Sequence, residues 1–98
     1  MFPDGVEVLP WMPCGTNSIG EATADCMTRA RSVVWAMHGL YGAGKTLDEA
    51  FGLVETVEKA ATVYMLTAGL KRINTITDAQ MLELADRFNV TPRAGILK

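Results

Sequence analysis

The chain has 98 residues, of which 49% are hydrophobic and 20% charged, and its formal net charge is −2. This length suffices for one small domain, and the composition is that of a globular chain rather than a disordered one. The charge offers no basic footprint for nucleic acid, and no run approaches the roughly 18 apolar residues that cross a membrane. We therefore expect a cytoplasmic protein without nucleic-acid or membrane partners, in which Cys14 and Cys26 are free thiols.

Two elements are predicted in the first third of the chain. Residues 6–9 alternate apolar with polar side chains, which is typical of a short strand. Ser18 and Glu21 have the spacing of a capping box, so we expect a helix that begins at Ser18. Arg29 and Arg31 are expected in its last turn, where cations suit the helix dipole. The apolar face of this helix repeats every three or four residues: Ile19, Ala22, Cys26, Met27 and Ala30.

The middle of the chain predicts a second strand and a long helix. Residues 33–37 form a continuous apolar run, which fits a strand buried on both faces of an α/β sheet. Thr46 and Glu49 form a second capping box, and we expect the helix to run to about Ala68 with Gly69 as its C-terminal cap. One face of this helix is predicted to be buried: Leu47, Ala50, Phe51, Val54, Val57, Ala61 and Met65.

A third helix is predicted after Thr77, whose capping-box partner is Gln80. Its predicted buried residues are Met81, Leu82, Ala85 and Phe88. The order β-α-β-α-α indicates an α/β layer with only two or three strands. We expect apolar faces to remain exposed on such a layer, so the chain should self-associate.

Residues 39–46, GLYGAGKT, match the phosphate-loop pattern G-x-x-x-x-G-K-[ST]. Three observations oppose nucleotide binding by Gly39–Thr46. Asp48 and Glu49 would each repel a phosphate by about 1 kcal/mol even in high dielectric, no later apolar strand ends in a magnesium-binding aspartate, and the region is too short for the sheet of such folds. Nucleotide binding is therefore the least favoured alternative, and Lys45 is interpreted as a solvated residue before a helix.

His38 is the only histidine, and it directly follows the second predicted strand. Sites in α/β proteins gather at strand ends, but a catalytic zinc usually takes three protein ligands. No cysteine or acid has metal-ligand spacing relative to His38, so any partners must lie outside this chain. Glu58, on the apolar face of the second helix, is interpreted as a residue that makes a structural hydrogen bond or lies at the edge of that face, with a buried partner of the site as the alternative. Tyr41 is interpreted as a packing residue, with reach to a site as the alternative.

Four segments, which span nearly the whole chain, carry a resemblance to a known family. They are FPDGVEVLPWM (2–12), GTNSIGEATADCM (15–27), VVWAMHGLYGAGKTLDEAFGLVETVEKAATVY (33–64) and LADRFNVTPRAG (84–95). The chain resembles the C-terminal portion of bacterial zinc-dependent class II aldolases of the aldolase/adducin superfamily. The HG turn and the TLDEAFGL helix start are shared widely in that superfamily. The PDG-V-LPW start and the RF-VTP end resemble the branch that acts on L-rhamnulose 1-phosphate.

The resemblance implies a fold and an activity. The fold would be the three-layer αβα class II aldolase fold, with residues 1–98 as the C-terminal part of a single domain whose N-terminal part is absent. The family cleaves the phosphorylated ketose to dihydroxyacetone phosphate and L-lactaldehyde, with Zn²⁺ as a Lewis acid, and forms homotetramers. His38 matches the third of three histidine ligands, and the other two and a general acid/base glutamate are expected upstream. The isolated chain is therefore expected to be inactive. The alternative is a non-catalytic, adducin-like binding module or remnant.

Overall fold

The computed structural model describes residues 4–71 and 74–97 of the chain. Phe2 and Pro3, which belong to the first resembling segment, lie outside the described residues. The elements, in chain order, are β1 (Glu7–Leu9), α1 (Asn17–Met27), β2 (Ser32–Trp35), β3 (Gly39–Gly42), α2 (Leu47–Thr67) and α3 (Asp78–Arg87). The predicted mixture of helix and strand is confirmed, and β3 is the third of the two or three strands expected, although its bounds were not predicted.

The three strands form one mixed sheet in the order β1-β2-β3. β1 and β2 are parallel, with Glu7 opposite Val33, because α1 provides the crossover between them. β2 and β3 form an antiparallel hairpin in which Ser32 lies opposite Gly42. The strand predicted at residues 33–37 therefore starts one residue too late and ends two residues too far along the chain, because the chain turns back over residues 36–38.

A helix lies on each face of this sheet. On one face, α1 packs over Val33 and Trp35, in a cluster that also contains Leu9 and Cys26. On the other face, Val54 of α2 comes so close to β3 that it fills the space where a side chain of Gly42 would stand. The result is a local helix–sheet–helix layering, and its assignment to the three-layer aldolase fold stays a prediction.

The start of α1 was predicted wrongly. Thr16, not Ser18, is the N-cap: its backbone is extended (φ −98°, ψ 154°), and its hydroxyl accepts a hydrogen bond from the Ile19 N–H at 3.5 Å. An N-cap residue needs such non-helical dihedrals, whereas Ser18 is already inside the helix and shares a 2.9 Å hydrogen bond with Thr16. Ile19 and Cys26 of the predicted apolar face are buried, whereas Ala30 is buried but lies beyond the end of the helix at Met27.

Arg29 and Arg31 lie beyond the end of α1 at Met27, so their predicted place in its last turn is also wrong. The Arg29 guanidinium donates a 2.9 Å hydrogen bond to the Asp25 carboxylate, and this bond together with the charge of Asp25 raises the pKa of Arg29 above its ordinary value. Arg31 contacts the carboxylate of Glu49 at 2.6 Å. It therefore ties the beginning of β2 to the first turn of α2.

Most of the predicted buried face of α2 is exposed. Leu53 is the one buried residue of the helix, and Leu47, Phe51 and Met65 have exposed fractions of 90%, 64% and 72%. A helix of this length is about 30 Å long, whereas three strands span only about 10 Å, so most of α2 extends past the sheet. The helix is capped by Ala68 in the right-handed region, and the prediction of Gly69 as the cap is wrong.

α3 begins with the predicted capping box. The Thr77 hydroxyl accepts from the Gln80 N–H at 3.3 Å, and the Gln80 side chain accepts from the Thr77 N–H at 3.0 Å. Of the predicted buried residues only Ala85 is buried, while Leu82 and Phe88 are exposed. Both cysteines are free thiols, as predicted. None of the helices within 4–71 and 74–97 combines the length and apolar character that a bilayer crossing requires.

Candidate functional site

His38 lies in the turn between β2 and β3, at the carboxyl ends of the two parallel strands. Its backbone N–H donates to the Trp35 carbonyl at 2.9 Å. Its ring Nε2 is 3.0 Å from the carbonyl oxygen of Met12, in the loop that follows β1. The imidazole is thus exposed but held between the two strand ends, where ligand sites of α/β sheets occur.

The backbone of this turn has two residues with positive φ. Met37 has φ 65° although it carries a side chain, and Gly39 has φ 151°. The left-handed region favours glycine, and a residue such as Met37 stays in it only where its surroundings fix the chain. The Met37 side chain is 92% exposed, so the contacts that fix the turn come from its neighbours.

The structure brings His38 and Glu58 to the same depression, which has a volume of about 340 Å³. Its walls are apolar side chains of β2, β3 and α2, among them Val34, Leu40 and Val57. Glu58 is exposed and its carboxylate accepts no hydrogen bond from the described residues, which agrees with a place at the edge of the helix face and does not support a structural hydrogen bond. Its alternative role, as a partner of the site, remains a prediction.

Tyr41 packs on the opposite face of the hairpin. Its ring stacks on Trp35 with 5.8 Å between ring centroids and 10° between ring planes. This face carries α1, whereas the depression beside His38 opens towards α2. Tyr41 therefore has the packing role, and it does not line the depression.

The described residues contain no group of three or more His, Cys, Asp or Glu side chains that could hold a metal ion. An exposed imidazole at a strand end fits a metal as one ligand among several, and zinc sites need three or four. A metal on Nδ1 would leave the hydrogen bond to the Met12 carbonyl in place, and a metal on Nε2 would replace it. The donor set of this chain fits zinc only together with ligands from elsewhere.

The phosphate-loop match has a different structural role. Gly39–Gly42 is strand β3 itself, not a loop around an anion. The Lys45 N–H, which a phosphate would use, donates to a Glu49 carboxylate oxygen at 2.7 Å, and the other oxygen of Glu49 is paired with Arg31. A carboxylate of the protein therefore occupies the position that a phosphate oxygen would take.

The glycines of this match are explained by packing. A Cβ at Gly42 would lie 2.8 Å from a methyl group of Val54, and one at Gly44 would lie 2.7 Å from the backbone nitrogen of Ala50. Both glycines thus allow α2 to approach β3 closely. The sequence signal for this close approach is the G-A-G stretch at residues 42–44, which ends two residues before the helix cap Thr46.

A family profile described as the Class II Aldolase and Adducin N-terminal domain matches residues 1–65. The chain belongs to the class II aldolase and adducin family. Among characterised relatives, it is 60% identical to the rhamnulose-1-phosphate aldolase of Listeria welshimeri, with all of this chain and 36% of the relative covered. It is 50% identical to the enzyme of that name from Enterococcus faecalis, with the same coverage. For the one from Escherichia fergusonii the identity is 49%, over 99% of this chain and 36% of the relative.

These matches confirm the resemblance to class II aldolases. The chain spans about a third of the length of these relatives, since 36% of each is covered. The family description refers to an N-terminal domain and so does not support the expected C-terminal placement. The division of the parent domain stays a prediction.

Proposed function

We propose that this chain is part of a zinc-dependent aldolase that cleaves L-rhamnulose 1-phosphate to dihydroxyacetone phosphate and L-lactaldehyde. The observation that carries the proposal is the 60% identity, over the whole chain, to an enzyme named rhamnulose-1-phosphate aldolase. The position of His38 at the carboxyl ends of β1 and β2 supports it, because that is where a ligand of an α/β site is expected.

In this proposal His38 is one of three histidine ligands. Bound zinc supplies Lewis-acid polarisation of the substrate carbonyl. The role of this chain is to present the imidazole from a turn whose backbone is held by Trp35 and whose ring is held by Met12. The other two histidines and the general acid/base glutamate belong to the part of the relatives' length that this chain does not span.

The isolated chain is expected to lack aldolase activity. One imidazole cannot hold zinc in a defined geometry, because protein zinc sites use three or four protein ligands. An assay of the purified 98-residue chain with L-rhamnulose 1-phosphate and added Zn²⁺ should release no lactaldehyde. Turnover that is abolished by a chelator would contradict this expectation.

The decisive experiment is a chimera. In this chimera, the chain would replace the matching third of the Listeria welshimeri enzyme. We expect the chimera to contain zinc and to act as an aldolase. His38→Ala in this chimera should remove zinc and activity, by more than the ~10- to 100-fold loss of metal affinity that follows from removing an outer-sphere partner of a ligand. A folded chimera that keeps its zinc after His38→Ala would overturn the proposal.

Lys45→Ala is the matched control in the same chimera. Lys45 is exposed, and its backbone N–H, which the substitution keeps, makes the contact with Glu49. We expect unchanged zinc content and activity, and no heat of binding when ATP is titrated. Tight ATP binding that is lost in Lys45→Ala would revive the nucleotide alternative.

We further propose that the parent enzyme is a cytoplasmic homotetramer, as expected from the resemblance. No observation favours the adducin-like binding module, since the similar proteins that we describe are all named as aldolases. Sedimentation of the active chimera would test the tetramer.

A further inference from the structure

Trp35 connects the hairpin that carries His38 to helix α1. Its indole Nε1–H donates to the Thr23 hydroxyl at 3.0 Å, and that hydroxyl donates to the Ile19 carbonyl at 2.6 Å. Thr23 is buried, with 7% of its surface exposed. Because a hydroxyl has one proton, and Ile19 accepts it, the Thr23 oxygen is left as an acceptor for the indole. The direction of both hydrogen bonds is therefore determined.

The face of the same indole is held by Tyr41. The two rings are stacked 5.8 Å apart and nearly parallel, across the β2–β3 hairpin. Since the edge of the Trp35 ring is bonded to α1 and its face is covered by β3, neither rotation nor tilt of the indole is possible without losing a contact. Trp35 therefore links the hairpin to α1 through its side chain.

The turn that presents His38 starts from the backbone of Trp35. The Trp35 carbonyl accepts the His38 N–H at 2.9 Å, and Met37, between them, has φ 65° with an almost fully exposed side chain. A left-handed conformation is unfavourable for such a residue and persists only when its surroundings determine it. Because the Met37 side chain is almost fully exposed, its neighbours hold the turn. The Ala36 N–H donates to the Leu9 carbonyl at 3.2 Å, and the Trp35 side chain and the His38 ring make hydrogen bonds of their own.

The ring of His38 in turn contacts Met12. A carbonyl oxygen only accepts hydrogen bonds, so the ring proton of the neutral imidazole lies on Nε2 and the free lone pair lies on Nδ1. Outer-sphere contacts of this kind orient a ligating histidine and select its tautomer.

We propose that Trp35 is a positioning residue for His38: its hydrogen bond to Thr23 and its stack on Tyr41 hold the turn so that the His38 ring stays on the Met12 carbonyl. The part of this proposal that concerns metal affinity rests on the proposed function. The part that concerns the ring and its tautomer does not.

The first test measures the tautomer of His38 in the 98-residue chain. Because the chain has one histidine, selective ¹⁵N-histidine labelling gives the signals of one imidazole only. We expect a single tautomer, protonated on Nε2, in the unaltered chain at a pH where the ring is neutral. Trp35→Phe, which keeps the stacked ring and removes the N–H, should give a mixture of tautomers, and so should Thr23→Val.

Matched variants separate positioning from general destabilisation. Thr23→Ser keeps the hydroxyl and should restore the single tautomer. Thr56→Val is the control, because the Thr56 hydroxyl also donates to the carbonyl four residues earlier, at 2.7 Å, but is not a partner of an indole. It should leave the His38 signals unchanged. Folded Trp35→Phe and Thr23→Val variants with an unaltered single tautomer would overturn the proposal.

The second test uses the aldolase chimera. Thr23→Val should weaken zinc binding by ~10-fold, the lower end of outer-sphere effects, and Thr56→Val should not change it. Equal zinc affinity in the two variants would overturn the metal part of the proposal. If the tautomer responds as expected but no chimera binds zinc, the proposed function fails while the positioning of His38 by Trp35 stands.

Discussion

Helices α1 and α2 pack on opposite faces of the same small sheet, but their burial differs greatly. α1 has 11 residues and buries Ile19, Thr23 and Cys26. α2 has 21 residues, and Leu53 is its only buried residue. The first helix, about 16 Å long, is comparable in size to the surface that it covers, whereas the second is about 30 Å long and extends past the sheet. Burial therefore depends on the extent of the opposite surface as much as on the apolar pattern of the helix.

The second half of α2 shows this most clearly. No charged residue occurs between Lys59 and Lys71, and Tyr64, Met65 and Leu66 are each at least 70% exposed. A helix segment that is apolar all round is typical of one that is covered on several sides. The relatives are almost three times as long as this chain, since it covers 36% of them. In the proposed parent enzyme, the remaining length would cover this segment.

The largest expected effect is on self-association, because the exposed segment of α2 should bring copies of this chain together. Leu66→Lys should lower the particle mass that light scattering reports at a given concentration. Thr62→Lys, which adds the same charge at an exposed polar position of the helix, should lower it less. A clean monomer for the unaltered chain would show that the difference between α1 and α2 has no consequence for association.

The next prediction compares how much two leucines contribute to the free energy of unfolding. Leu9 is 9% exposed and packs against Val33 and Cys26, whereas Leu66 is 76% exposed. Leu9→Ala should lower the free energy of unfolding by about 2–5 kcal/mol, through lost burial and a cavity. Leu66→Ala should change it by about 0.5 kcal/mol or less. Urea unfolding measures both, and similar costs would mean that the second half of α2 is packed as tightly as the face of the sheet that α1 covers.

A third comparison uses two glycines, Gly44 just before α2 and Gly52 inside it. Gly44→Ala places a methyl group 2.7 Å from a backbone nitrogen, so we expect a loss of about 1–3 kcal/mol through overpacking. Gly52→Ala, inside the helix with nothing within 4 Å, should stabilise the chain by about 0.5–1 kcal/mol. A stabilising Gly44→Ala would show that α2 does not approach β3 as closely as we describe.

The smallest effect concerns the start of α1. Thr16→Ala removes the N-cap oxygen and should cost about 1 kcal/mol. Ser18→Ala should change the free energy of unfolding by about 0.5 kcal/mol or less, because Ser18 caps no backbone group in the structure. Thermal melts of the two variants measure the difference. The reverse order would restore the capping box predicted from Ser18 and Glu21.

Local signals predicted what depends on a few neighbouring residues. The capping residues Thr46 and Thr77 were identified correctly, since a cap is formed by side chains and amides within one turn. The cap at Thr16 was missed because two hydroxyls stand two positions apart and only the backbone dihedrals distinguish them. Strand β3 was not delimited from the sequence because the two glycines that flank Leu40 and Tyr41 match a phosphate-loop pattern.

Residue identity and spacing were enough to predict the family, the place of His38 after an apolar strand and the starts of α2 and α3. Three features follow only from the tertiary structure. The Glu49 carboxylate accepts the hydrogen bond of the Lys45 N–H, His38 and Glu58 line the same depression, and most of α2 is exposed. Each of these depends on contacts between residues of different elements, and the pattern within one element contains no information about the size or position of its neighbour.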